Sequence, residues 1–205
     1  MPRRSAQHCL VILLRYPEIG KVKSRIARAV GEKEALRVYQ ELVSITLDIA
    51  SHLHLPVYLM YEGRMPEPEE QLHPFHYRLQ PEGALDQKII AAFHLGFTQH
   101  AHVIVIGSDC PELQPNLIEE AFVQITNTDV VIGPAKDGGY YLIGCKKLNP
   151  RLFSRISWGS DQVLKETVDR CEEEHLRYTL LPELQDVDTI EDWESYKIRI
   201  QTVED

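Results

Sequence analysis

The sequence predicts an α/β chain folded as one three-layer α/β/α domain, with a mostly parallel central sheet between two layers of helices. Two observations predict it. Short apolar runs of strand length alternate along the chain with longer segments whose apolar residues recur at helical spacing, the pattern of βαβ units. Its 205 residues, 26% charged and 43% hydrophobic, suit a single core, so residues 1–205 are expected to form one domain.

Each element follows from local chemistry. Residues 8–14 (HCLVILL) are a continuous apolar run ended by Pro17 and Gly20, as expected of a buried strand emptying into a loop. From residue 31 to 52, Ala35, Leu36, Val38, Tyr39, Leu42, Val43 and Ile49 recur at helical spacing, with Pro56 just beyond. Residues 55–61 read as a strand, 62–74 as an exposed connection rich in proline and glutamate, and 76–79 as a short strand. A helix over 84–100 feeds the strand 102–106, which Gly107-Ser108-Asp109 terminates. A helix over 114–126, a strand over 129–133, a Gly-Gly turn and a strand over 140–145 come next. A helix over 161–175, a strand over 178–181 and a helix over 190–200 close the chain. In such a sheet, ligands bind at the carboxyl ends of the strands. The loops expected there are 15–25, 107–111, 134–139 and 182–189.

Charge and composition remove several classes of function. A formal net charge of −9 disfavours nucleic acid and anionic lipid as partners. No apolar run approaches the roughly 20 residues that cross a bilayer, and no signal-peptide pattern is present, so a cytoplasmic location without membrane attachment is expected. The cysteines at 9, 110, 145 and 171 are widely spaced and are expected to be reduced thiols. The pairs His52/His54, His73/His76 and His100/His102 lack a third placed ligand and are expected to make surface contacts. Ser24, Ser108 and Ser160 lie in no G-x-S-x-G elbow, and Cys110 has no evident partner histidine, so no covalent nucleophile is indicated.

The loops themselves carry charge in a telling distribution. RYPEIGKVKSRIAR, residues 15–28, holds Arg15, Lys21, Lys23, Arg25 and Arg28, against about 1.5 basic residues expected at the chain's mean frequency. Such donors beside Gly20 suit a polyphosphate, while a solvated basic loop opening a helix is the plainer alternative. The Walker pattern fails because Val22 follows Gly20-Lys21, and G-x-G-x-x-G is missing. Asp109 follows the central strand, where it either serves the ligand cavity or caps the next helix. In QDVDT, Asp186 and Asp188 point the same way if extended, and Asp109 with Asp188 could complete a Mg²⁺ site using phosphate oxygens and water. Asp188-x-x-Glu191 and Thr189-x-x-Asp192 both also read as helix caps. Asp137-Gly138-Gly139-Tyr140 fits a tight hairpin, or a segment whose glycines let substrate approach while Asp137 or Tyr140 contacts it.

Taken in order, RYPEIGKVKSRIA, VIGSDCPEL, GPAKDGGYYLIG, ISWGSDQVL and DVDTIEDW resemble small transferases of the glycosyltransferase-A, or nucleotide-diphospho-sugar transferase, fold. The chain is similar to phospholactate guanylyltransferases and to proteins labelled glycosyltransferase-like. The resemblance implies that Lys23-Ser24-Arg25 is a phosphate-contacting element and that Asp109 and Asp188 are the two metal acids, binding Mg²⁺ or Mn²⁺. It implies that Gln80 and Gly83 belong to a base- or ribose-binding segment usually reading G-D-L-G-E-R. Here Ala84, Asp86, Gln87 and Lys88 stand where Asp, Gly, Glu and Arg are usual.

The expected function is nucleotidyl transfer from a nucleotide to a small phosphorylated acceptor. Lys23, Arg25 and Asp109 are the expected catalytic residues, and Arg15, Gly20, Lys21, Lys23, Arg25, Gln80 and Gly83 the expected nucleotide site. Asp137, Gly138, Gly139 and Tyr140 are expected to meet the acceptor. Glycosyl transfer from a nucleotide-sugar is the alternative, and a non-catalytic nucleotide- or sugar-binding module is a further one.

Overall fold

In the computed structural model, which describes residues 7–72 and 74–204, seven strands form one sheet. In chain order the elements are β1 (His8–Arg15), α1 (Ser24–Val30), α2 (Glu32–Ser51), β2 (Val57–Glu62), β3 (His76–Leu79), α3 (Leu85–Phe97), β4 (His102–Ile106) and α4 (Pro115–Gln124). They continue as β5 (Val130–Pro134), β6 (Tyr140–Cys145), α5 (Val163–Glu173), β7 (Tyr178–Leu180) and α6 (Ile190–Glu204). Short 3₁₀ turns at Pro68–Glu70 and Pro150–Phe153 complete the described chain.

The strand order is β3-β2-β1-β4-β6-β5-β7. β1 pairs in parallel with β2 and β4, β2 with β3, and β5 with β7; β6 runs antiparallel to both β4 and β5. The antiparallel strand comes from the Asp137-Gly138-Gly139 turn, which reverses the chain so that β6 slots between β4 and β5. From β1 the chain first builds outward to β2 and β3 and then returns to β4 on the other side. That change of direction opens a crevice between the loops following β1 and β4, the place where open α/β sheets bind ligands.

Period-two alternation in doubly buried strands separates the two cores. Leu10, Ile12 and Leu14 of β1, with Leu59, Ile104 and Leu142, face α2 and α4 through Tyr39, Val43, Ile49, Ile118 and Phe122. Cys9 and Val11, with Met60, Val103, Val105 and Ile143, pack on the opposite side against Ile89 and Phe93 of α3, Phe153, and Cys171 of α5. A third, smaller cluster joins Ile26 of α1, Val38 and Leu42 of α2, Val187 and Trp193 of α6. This cluster clamps the start of the chain to its end and positions the site described below.

α1 departs from the expected loop: residues 24 and 25 already belong to a helix. Seven residues are too few to hold a helix in water alone, and buried Ile26, docked against Trp193 and Val187, supplies the tertiary support. All four cysteines are free and buried. No helix among the described residues is long and apolar enough to cross a membrane.

His100 and His102 correct the expectation of surface contacts, because both are buried. Tyr58 Oη lies 3.0 Å from His100 Nε2, and His102 Nδ1 lies 3.2 Å from His8 Nδ1. His52 stays exposed, with Nδ1 2.8 Å from the Asp48 carbonyl, and His54 is exposed too. His73 lies outside the described residues.

Burial holds His8 and His102 below the ordinary imidazole value, and at His102 the neighbouring His8 and Lys146 add to the effect. A histidine depressed in the folded state binds fewer protons there than when unfolded. Its cost is therefore absent above the unfolded pKa of about 6.5 and grows as pH falls toward the folded value. His102→Gln is expected to shrink the loss of urea midpoint between about pH 7.5 and about pH 5.5. An unchanged acid loss in the variant would place the sensitive groups elsewhere.

Candidate active site

The carboxyl ends of β1, β2, β3 and β4, the amino end of β6 and the loop after β7 surround a cavity of about 860 Å³. Its walls include Arg15, Gly20, Lys21, Lys23 and Arg25 together with Asp109, Asp137, Asp186 and Asp188. Sequence regions more than 80 residues apart thus share one space.

Two ion pairs lie on its wall. Lys23 Nζ lies 2.8 Å from Asp109 Oδ1 and donates to the Val187 carbonyl at 2.6 Å, while Arg25 Nη1 lies 2.7 Å from Asp188 Oδ2. Lys23 caps the start of α1 in the left-handed region (φ 47°, ψ 54°), and its side chain is only 7% exposed. Buried Val22 and Ile26 on either side root this segment in two different cores, fixing the direction in which Lys23 and Arg25 project. Arg28 does not line the cavity.

The hydrogen bonds show which acids cap a helix and which do not. Asp109 caps no helix: Gln114 stands at the cap position before α4 and makes no side-chain cap, and the Asp109 carboxylate pairs with Lys23. Its carbonyl accepts from Val187 N at 2.8 Å, tying the β4 loop to the last loop. The capping box at α6 is Thr189-x-x-Asp192, with Thr189 N donating to Asp192 Oδ2 at 2.8 Å and Asp192 N to Thr189 Oγ1 at 3.2 Å. Asp188 is therefore free to face Arg25 and the cavity.

Asp186 joins these acids on the cavity wall, and its pKa is pushed up to about 7, first by burial and then by Asp137, Asp188 and Asp109. Sequence spacing pairs it with Asp188 but does not reveal the neighbours that raise its pKa. Cys110, also on the wall, is pushed up to about 12 by burial and nearby Asp186, which keeps it a thiol and unsuited to nucleophilic attack.

On the β1–β2–β3 side, Glu62 takes Arg15 Nε at 2.8 Å and Lys88 Nζ at 2.6 Å, and these cations hold its carboxyl below the usual range, Lys88 foremost. Arg15 also donates to the Lys21 carbonyl at 3.2 Å. Tyr39 brackets the end of β1, accepting from Arg15 N at 2.7 Å and donating to Arg15 O at 3.1 Å. Gln80 lines the cavity, and its Nε2 donates to the Leu14 and Met60 carbonyls at 3.0 and 2.7 Å.

The DGGY segment divides. Asp137 and Gly139 line the cavity, with Gly139 N donating to Asp137 Oδ1 at 2.7 Å. Gly138 and Gly83 do not line it. Tyr140 does, but its hydroxyl is buried away from solvent on the Thr167 side, so the ring is what the cavity meets. Trp158 and Ser160 complete that wall, Trp158 edge-on to Tyr140 at 6.3 Å. Trp158 and Lys88 were not singled out by residue chemistry; each is a lone side chain whose placement depends on the tertiary fold.

The oxygen donors of Asp109 and Asp188 suit a hard cation, and two carboxylates completed by phosphate and water are a usual Mg²⁺ set. Among the described residues no group of three or more His, Cys, Asp or Glu side chains forms a protein-only cage. Two carboxylates leave the remaining positions of such a cation to water and other oxygen ligands.

Comparison with known proteins places this geometry in context. Residues 45–160 match the family DUF2064, described as an uncharacterized protein conserved in bacteria. No curated protein shows significant similarity to the chain. A crystal structure of a provisionally assigned nucleotide-diphospho-sugar transferase from Desulfovibrio desulfuricans G20 is 32% identical, with a TM-score of 0.85, covering 92% of this chain and 85% of that one. A cytidylyltransferase from Leptospira borgpetersenii shares the fold at 12% identity and a TM-score of 0.61, covering 93% and 85% of the two chains. So does the manganese complex of Rv0371c from Mycobacterium tuberculosis H37Rv, at 15% identity and 0.57, covering 93% and 97%. The chain belongs to the DUF2064 family and has the nucleotide-diphospho-sugar transferase fold.

Proposed function

We propose that the protein is a Mg²⁺- or Mn²⁺-dependent transferase that uses a nucleotide, and that it transfers a nucleotidyl group to a small phosphorylated acceptor. The observation that carries the reading is the pair of contacts Lys23–Asp109 and Arg25–Asp188 on the wall of one cavity at the strand ends. Basic side chains able to meet phosphates lie directly against carboxylates able to hold a metal. Relatives of the same fold include a cytidylyltransferase and a manganese complex.

In this reading Arg25 offers its remaining guanidinium N–H groups to the phosphates, and Lys21 adds a second, mobile charge. Gly20, at φ 75°, lets the backbone come close. Gln80 Oε1 accepts a hydrogen bond from the base or ribose, with Gly83 turning the chain behind it. An oxygen of the acceptor phosphate attacks the α-phosphorus while its bond to pyrophosphate breaks, and the pyrophosphate leaves with the electron pair. Lys23 and Arg25 stabilise negative charge as it shifts. Asp109 and Asp188 would hold the divalent cation, which when bound neutralises phosphate charge. Asp137, Gly139 and the Tyr140 and Trp158 rings receive the rest of the acceptor.

That last wall favours keeping glycosyl transfer as a second reading. Between residues 107 and 188 the cavity is lined by four aspartates, Trp158 and Ser160, and by no lysine or arginine. It suits a neutral polyhydroxyl group better than a further anion, and such a group belongs to a nucleotide-sugar donor as much as to a sugar phosphate acceptor. A binding module without turnover draws support from Lys88, whose ammonium is committed to Glu62.

The products separate the three. A nucleotide panel read by thermal shift, with and without Mg²⁺, is expected to select one base, since a ligand that binds only the folded state raises the midpoint. Incubation with that nucleoside triphosphate and pooled sugar phosphates is then expected to release pyrophosphate. Nucleoside diphosphate released from the nucleotide-sugar would establish glycosyl transfer instead. Calorimetric binding with neither product would establish the binding module.

A further inference from the structure

Lys23 is an expensive residue to keep as a simple phosphate contact. A lysine reaching for a phosphate from a flexible loop needs neither burial nor an unusual backbone. Here the side chain is 7% exposed and the backbone is left-handed, a conformation disfavoured for residues with a Cβ. Two of the three ammonium protons already have partners, Asp109 Oδ1 and the Val187 carbonyl. Those partners come from the two loops that carry the proposed metal acids. Arg25 repeats the arrangement on Asp188 from a more open position, 62% exposed.

We propose that Lys23 is a stand-in cation: it holds Asp109, and it yields that carboxylate when a divalent metal arrives together with nucleotide phosphates. This rests on the metal and nucleotide reading above and gives Lys23 a positioning role within it. The ammonium holds the β4 loop and the 187–188 segment at their working separation while four carboxylates share the cavity. A metal arriving alone must displace the ammonium and strand a shielded positive charge, which is costly. A metal arriving with phosphates gives that ammonium a new partner. Metal and nucleotide therefore favour one another through the protein, in addition to their direct attraction, and the coupling acts equally in both directions.

The distinguishing result has an unusual sign. Binding of Mn²⁺ alone to the full chain, without nucleotide, is measured from free Mn²⁺ by electron paramagnetic resonance. Lys23→Met, which keeps the stem and removes the charge, is expected to bind Mn²⁺ about tenfold more tightly than the unaltered protein. A residue that merely supported the fold would give weaker binding when altered. Lys21→Met removes a charge from the same wall at a side chain with no ion pair among the described residues, and is expected to change the affinity less than about threefold. Lys23→Gln, which removes the charge and keeps an amide donor for the Val187 carbonyl, is expected to tighten Mn²⁺ binding as well and carries the test if Lys23→Met fails to fold. Equal or weaker binding by folded Lys23→Met, or an equal gain in Lys21→Met, would overturn the stand-in role while leaving the metal site intact. No Mn²⁺ binding by any of the proteins would overturn the metal reading and this inference with it.

Discussion

Asp109→Asn is expected to weaken Mn²⁺-dependent nucleotide binding by about 10²-fold or more while changing unfolding free energy by only about 1 kcal/mol. The two effects separate because Asp109 has two kinds of partner. Toward a divalent cation its negative charge is the essential property, and an amide oxygen is a poor replacement. Toward Lys23 an amide oxygen still accepts a hydrogen bond, and the carboxylate is 46% exposed, so solvent already screens much of the ion pair. The Val187 carbonyl retains its hold on the ammonium, and Val187 N still binds the main chain at Asp109. Isothermal calorimetry of the selected nucleotide with Mn²⁺, beside a urea melt, checks both halves. Undiminished binding would remove Asp109 from the metal site. A collapse in stability without a binding defect would make it a structural residue. The opposite signs expected for Asp109→Asn and Lys23→Met on metal affinity make the pair more informative than either alone.

The sequence makes the major strands and helices legible because their signals are local. β1 and β4 are continuous apolar runs, and α2 repeats its apolar side chains over 20 residues. α1 escapes such reading, since Ile26 is its single buried residue and no period can be seen in one position. The Gly-Gly turn signals a hairpin, yet nothing local says that β6 inserts between β4 and β5; that register depends on pairing with a strand more than 30 residues earlier. The site shows the same division. Clustered cations near the start and aspartates near the end mark loops that line the cavity, but their meeting depends on packing of Ile26, Val187 and Trp193. At 188–192 two capping patterns are written one residue apart, and the hydrogen bonds select Thr189 and Asp192, which releases Asp188. Asp186 looks equivalent to Asp188 in an extended chain; the burial and neighbouring carboxylates that raise its pKa come from the fold.

Gly138→Ala is expected to destabilise the fold by about 3 kcal/mol, lowering the melting midpoint by about 10 °C for a chain of this size. The residue invites reading as a glycine that lets substrate approach, but what approaches it is the chain itself. At φ 88°, a Cβ on Gly138 would stand 2.2 Å from the main-chain oxygen of Asp161 and 2.7 Å from its Cα. Main-chain atoms cannot rotate aside as a side-chain end can. The Leu164 amide donates to the Gly138 carbonyl at 2.8 Å, so the hairpin turn and the start of α5 are fastened at the point of contact. Left-handed backbone costs a residue with a Cβ about 1–2 kcal/mol, and forced displacement of packed backbone adds a similar amount. Gly139→Ala is the matched control, because its nearest contact is the Asp137 carboxylate at 3.0 Å, which a rotation relieves. That variant is expected to lose about 1 kcal/mol or less. Equal melting of the two alanine variants would show that α5 does not bear on the turn. Trp158, Ser160 and Val163 on the cavity wall flank the displaced backbone, so Gly138→Ala is also expected to weaken acceptor binding in the molecules that remain folded, leaving Mn²⁺ affinity at Asp109 and Asp188 nearly unchanged.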